Sequence, residues 1–223
     1  MHRHDIYGPA HKGLRLALSR LVIEIGQTDF TDLASSRETI AALRRQMAFS
    51  EGHLHHEELE IHGPLNERAP GSVTALDCAH AHHRASFVWI EELMQRIENA
   101  IGDERRRLGR DLYLRFTQFV GEDFEHMAEE ETITLPLLWE HFTDEELMAM
   151  EGRIVGSLKP DEAIFSIGLM IPAMNPAERI RFLSFARSSA PPPAFDAMLN
   201  HAVRPALDDD AFADLSRGLG LAA

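Results

Sequence analysis

Apolar residues along this chain recur at intervals of three and four, the helical period, and no strand-like alternation persists. Leu14, Leu18, Leu21 and Ile25 share one stripe and predict a first helix from about Pro9 to Gly26. Pro9 suits its first turn. A loop over 26–32 follows. A second helix is predicted from about Ser36 to His62, with Gly63-Pro64 as its stop. After the turn-rich stretch 66–72, a third helix runs from about Val73 to Ala100, with Leu76, Phe87, Ile90, Met94 and Ile97 on its apolar face. Gly102-Asp103 breaks it. The fourth runs from about Glu104 to Pro136, kinks there and continues to His141, with Leu112, Phe116, Phe119, Ile133 and Leu137 turned inward. Four long helices with short connections predict an all-α, up-down-up-down four-helix bundle over residues 1–142.

Residues 143–223 read differently, as a C-terminal appendage of short helices. Thr143-Asp144-Glu145-Glu146 has the form of a capping box. Lys159-Pro160-Asp161 and Asn175-Pro176-Ala177-Glu178 open two further helices. Ala190-Pro191-Pro192-Pro193 reads as a stiff linker, followed by a helix to about Leu207. Asp208-Asp209-Asp210 start the last helical tail.

With 223 residues, the chain can bury one sizeable core plus this smaller part. A formal net charge of −14 sets it against nucleic acid and acidic membranes. Its one basic run, Arg105-Arg106-Arg107, reads as a solvated helix start. The apolar stretches are too short for a transmembrane helix. Met1-His2-Arg3-His4-Asp5 lacks the apolar run of a secretory signal, so a cytoplasmic protein is expected. Cys78, alone, excludes an internal disulfide framework and a cysteine zinc cage. It reads as a small buried residue.

Histidine is the anomaly: there are 13, nine of them at positions 53–141. Two segments repeat one pattern. His53-Leu54-His55-His56-Glu57-Glu58 precedes Gly63-Pro64, and His126-Met127-Ala128-Glu129-Glu130-Glu131 precedes Leu135-Pro136. A spacing of four puts His53 with Glu57, and His126 with Glu130, on one helical face. Glu58 and Glu131 fall about 140° away from those histidines and should point elsewhere. A single such pair is commonly a surface hydrogen bond. Two pairs at one height are better read as a core metal site.

Height follows from distance to the connecting loops. With midpoints near Asp32, Glu67 and Gly102, His11 lies 21 residues before the first loop and His53 21 after it. His53 is 14 before the second loop and His80 13 after; His80 is 22 before the third and His126 24 after. One layer therefore holds His11, His53, His80 and His126. His80 and His83 share the stripe of Phe87 and Ile90, whereas His82 does not. His11 shares that of Leu14, Leu18 and Leu21. His56 and Glu60, also four apart, are an alternative to His53 and Glu57. Tyr7 reads as packing against the first helix, with approach to a metal as the other reading. His2, His4, His55, His62, His141 and His201 read as solvated or capping residues. Imidazoles and carboxylates without thiolates suit iron, manganese or zinc.

On these residues the chain resembles the hemerythrin-like, or HHE cation-binding, family over about residues 6–141. The resemblance rests on His11 before Gly13-Leu14-Arg15, on His53 and Glu57 before Gly63-Pro64, on His80 and His83 before Arg84-Ala85, and on His126, Glu130 and Glu131 before Leu135-Pro136-Leu137. It implies a four-helix bundle holding two iron ions, bridged by carboxylates and a solvent oxygen. His11, His53, His80 or His83, and His126 would be terminal ligands; Glu57 and Glu130 would bridge. The third-helix histidines are three apart where the oxygen carriers have four. The fourth-helix acid is a glutamate four after His126, where they have an aspartate five after. Both departures weigh against reversible oxygen carriage.

The resemblance implies sensing or binding of oxygen, nitric oxide, peroxide or iron, with a small diatomic ligand or peroxide as partner. The C-terminal helices would report the change or mediate protein contacts, self-association included. A di-iron peroxidase or oxidase, with Glu129 or Tyr113 as proton donor, is the enzymatic alternative. A module merely stabilised by metal, zinc among the candidates, is the third.

Overall fold

The structure is a computed structural model and describes residues 3–221. Those residues form helices joined by short turns and loops, with no strand among them. By internal contacts the chain divides into two compact units, Met1–Tyr7 with Ala17–Ile154, and Gly8–Leu16 with Val155–Ala223. The first unit thus runs on to Ile154, and residues 8–16, in the first half of the first helix, group with the C-terminal residues.

The first unit contains α1 (Gly8–Gln27) from Ala17 onward, and the whole of α2 (Leu33–Glu57), α4 (Thr74–Asn99) and α5 (Gly102–Glu129). Asp32, not Ser36, caps α2; its carboxylate accepts from the Ala34 and Ser35 amides at 2.8 and 2.9 Å. Leu18 and Ile25 of α1, Leu43 of α2, Ile97 of α4, and Leu112 and Phe116 of α5 meet in one buried apolar core. Arg105 is not a solvated residue. Its buried guanidinium donates to the Ile97 carbonyl at 3.0 Å and so closes the open end of α4.

Neither Gly63-Pro64 nor Pro136 ends a helix. A π turn at Glu58–His62 passes into α3 (Gly63–Arg68), and a second at Glu130–Thr134 passes into α6 (Leu135–His141). Each π turn ends two residues before the proline. A proline ring clashes with the carbonyl four residues back and has no N–H to give it. The wider turn moves that carbonyl aside, so the helix continues. Ile61, Leu65, Leu135, Leu138 and Tyr7 form a second apolar cluster around these continuations. α7 (Asp144–Ser157) opens with the predicted capping box, Thr143 N–H to Glu146 at 2.9 Å and Glu146 N–H to Thr143 at 3.3 Å.

The second unit has its own apolar core around Ile171, Leu183, Phe195, Val203 and Leu215. Its helices are α8 (Pro160–Ala173), α9 (Pro176–Ser189), α10 (Pro192–Met198), α11 (Arg204–Ala206) and α12 (Asp209–Leu219). Asn175 and Glu178 form a capping box at α9. The proline run is not a linker. Pro192 and Pro193 occupy the first turn of α10, where a missing N–H is harmless. A third π turn, Leu199–Val203, again ends two residues before a proline, Pro205. Gly13, in the residues 8–16 of this unit, lies against α8: a Cβ there would meet the Leu169 and Met170 backbone at 3.1 Å. No helix among the described residues is long and apolar enough to cross a membrane.

Candidate metal centre

Where α2 and α5 pass into their π turns, with α4 beside them, buried polar groups converge. Glu57, His80, His126 and Glu130 each offer one ligand atom, and those atoms all lie within 4.8 Å of one another. Their residues are 0–5% exposed. The Nε2 atoms of His80 and His126 stand 2.9 Å apart. Glu130 Oε1 is 3.4 Å from His126 Nε2 and 4.0 Å from His80 Nε2. Glu57 uses both oxygens: Oε1 faces His53 Nε2 at 3.0 Å and Oε2 faces His80 Nε2 at 3.6 Å.

These separations fit a shared cation. Ligand atoms bonded at about 2.0–2.1 Å stand about 2.9 Å apart at a right angle and about 4.1 Å apart when opposite. The three contacts among His80, His126 and Glu130, and that of His80 with Glu57, fall within the range. The charge balance fits as well. Taking a carboxylate from water costs several kcal/mol, and Glu57 and Glu130 are both buried. A divalent cation offsets that cost and uses both imidazole lone pairs at once.

A second set of groups orients the first. Glu58, expected to point away, accepts at Oε1 from His80 Nδ1 at 3.1 Å and is gripped by Arg84 at 2.6 and 2.9 Å. Arg84 also donates to Glu51 at 2.8 Å. The Arg84 guanidinium, with His80 after it, holds the Glu58 carboxyl below the usual range. A carboxylate on Nδ1 fixes the His80 tautomer so that Nε2 offers its lone pair to the cluster. Burial lowers the His80 pKa, against the opposing charge of Glu57.

His83 is buried but is not among the four. Its Nδ1 lies 3.5 Å from Asp123, and its ring stands edge-on to Phe119 and His126. Burial pushes it down to about 4. His56 is half-buried and lies outside the converging group. Glu60 turns outward to Arg153 at 2.5 Å, a partner 93 residues away that spacing could not reveal. His11 is fully buried on α1, within the segment that groups with the second unit.

Several other expectations change. Tyr113 lies 13 residues before His126 on α5, about 20 Å along the helix, too far to serve the cluster. Tyr7 is fully buried, and burial, with the charges of Glu130 and Glu57, raises its phenol well above the ordinary value. It stays protonated beside those carboxylates. Ile133, expected inside, is exposed, and Thr134 is buried instead, because the π turn shifts the inward face by one residue. Cys78 is exposed. His4 pairs with Glu151 at 3.2 Å. His55 and His201 are exposed. His2 lies outside the described residues.

His62 is the residue that spacing missed. It is 2% exposed, its ring lies over His80 with centroids 4.8 Å apart, and its Nε2 is 3.7 Å from Glu130 Oε1. Burial opposes its protonation, but Glu130, Glu57 and Asp77 outweigh that and raise its pKa. No family model matches this chain, and no curated protein matches it.

Proposed function

We propose that this chain is a hemerythrin-like, non-haem di-iron protein that binds or senses oxygen, nitric oxide, peroxide or iron. In this reading α1, α2, α4 and α5 form an up-down-up-down bundle, and the histidines and glutamates between them hold two iron ions. The observation that carries it is the use of both Glu57 oxygens, one toward His53 and one toward His80. A carboxylate that faces two imidazoles in two directions suits a bridge between two cations.

Iron bound there would supply a redox-active centre with affinity for a small diatomic ligand or peroxide. The chain's own residues do the rest. Glu58 and Arg84 hold His80 in one tautomer. Tyr7 keeps a proton on its Oη near Glu57 and Glu130. Ile61, Leu65, Leu135 and Leu138 pack beside Tyr7 and keep bulk water from that side.

The test is to titrate iron-loaded protein with oxygen, nitric oxide and peroxide while following its optical spectrum. Saturable binding without turnover supports sensing, and steady peroxide consumption supports a peroxidase instead. A site inert to all three overturns both. One observation favours a different metal: four buried protein ligands are the number that closes a structural zinc site. Zinc retained through purification, with a large stabilisation and no redox response, is what that reading requires.

A further inference from the structure

We propose that His62 is an additional ligand of this metal centre, an inference that rests on the metal reading above. His62 lies five residues after Glu57. Along a regular α-helix that is about 140° away, on the outer side. The π turn removes the discrepancy. The Gly63 amide bonds to the Glu58 carbonyl five residues back, and this longer repeat turns His62 inward.

The three π turns among the described residues isolate what that turn does. The last residue of each, two before the proline, is His62, Thr134 or Val203, and all three are buried. Val203 sits in an apolar core and is apolar. Proline accommodation therefore asks only that the residue point inward; it does not ask for a histidine. Beside Glu130 the inward residue is an imidazole.

A buried histidine is ordinarily held by hydrogen bonds. Neither ring nitrogen of His62 makes one among the described residues. Asp77 Oδ1 stands 3.5 Å from Nδ1, and Glu130 Oε1 stands 3.7 Å from Nε2. Leaving such a group unsatisfied costs free energy that a metal bond would recover. The 3.7 Å separation is too long for a hydrogen bond but falls within the span of two atoms on one metal. Asp77, largely solvent-exposed, lies on the Nδ1 side, where an outer carboxylate would orient the ring. His62 thus repeats for Glu130 the relation that His53 has with Glu57, an imidazole Nε2 facing one carboxylate oxygen.

The experiment uses the full chain loaded with iron and two variants, His62→Cys and His62→Asn, each checked for native helix content by circular dichroism. A cysteine bonded to iron adds a thiolate charge-transfer band; one that does not touch the metal leaves the spectrum alone. The expected result is a new visible band in His62→Cys, and at least tenfold easier iron removal by a chelator in His62→Asn. His62→Asn remains informative should His62→Cys not fold. A loaded wild type whose variants keep the wild-type spectrum and iron retention overturns the His62 assignment alone. A wild type that takes up no metal overturns the metal reading and this assignment together.

Discussion

The Nε2 atoms of His80 and His126, 46 residues apart in the chain, face each other at 2.9 Å in the buried cluster. In metal-free protein one ring must donate to the other. With a cation between the helices both nitrogens would give their lone pairs to it. Removing either imidazole removes one bond and leaves a mismatched neighbour. His80→Ala and His126→Ala should each lose most of the bound metal while keeping native helix content, measured by elemental analysis and circular dichroism. Full metal occupancy in both variants would exclude them as ligands.

Glu58 would act on a bound metal through His80, whose Nδ1 it holds. Glu58→Gln keeps the size but weakens the hold on Nδ1, so metal affinity should fall about 10–100-fold with unchanged stoichiometry. Competition with a chelator gives the number. Unchanged affinity would mean that the Glu58–His80 contact at 3.1 Å does not tune the site.

Metal removal should also cost stability. At a metal concentration about 1,000 times the dissociation constant, binding adds about 4 kcal/mol to the native state. For a chain of this size that is roughly 8–16 °C in Tm. Calorimetry with and without chelator tests it, and coincident transitions would contradict it.

The metal-free protein should lose stability in mild acid through His83. Its folded-state value is lowered from 6.5 to about 4 by burial, while the unfolded chain takes up the proton near about 6.5. The contribution is therefore whole above about pH 6.5 and declines as pH falls toward 4, by up to about 3 kcal/mol. Urea midpoints for wild type and His83→Phe at pH 7 and 4.5 separate this group from other titrations. An equal acid loss in both proteins would contradict it.

Gly109 tests the core rather than the site. A Cβ there would lie 2.2 Å from the Phe30 ring, which is buried in the same cluster. Gly109→Ala should destabilise by about 1–3 kcal/mol through overpacking, although alanine favours helix. A rise in Tm would show that Phe30 moves freely.

The helical period and the paired His-x-x-x-Glu segments made the long helices legible, and with them a layer that holds His80 and His126, which the structure brings together with Glu57 and Glu130. That reading assumed 100° per residue throughout. It failed where the assumption failed. The π turns beside Glu57 and Glu130 admit one extra residue, so His62 and Thr134 turn in and Ile133 turns out. Pro64 reads as a stop and Pro136 as a kink because a regular helix cannot hold them; the signal for the π turn was a proline inside an otherwise unbroken periodic segment. Arg153 on Glu60, and Glu58 behind His80, depend on which side chains meet in space, which no local spacing records.

Metal content tests the proposed di-iron site most directly. Protein produced in iron-replete medium is assayed for metal, with optical spectra before and after reduction. Two irons per chain and near-ultraviolet bands that bleach on reduction are the predicted result. Zinc alone, or no metal in protein handled to retain it, would contradict it.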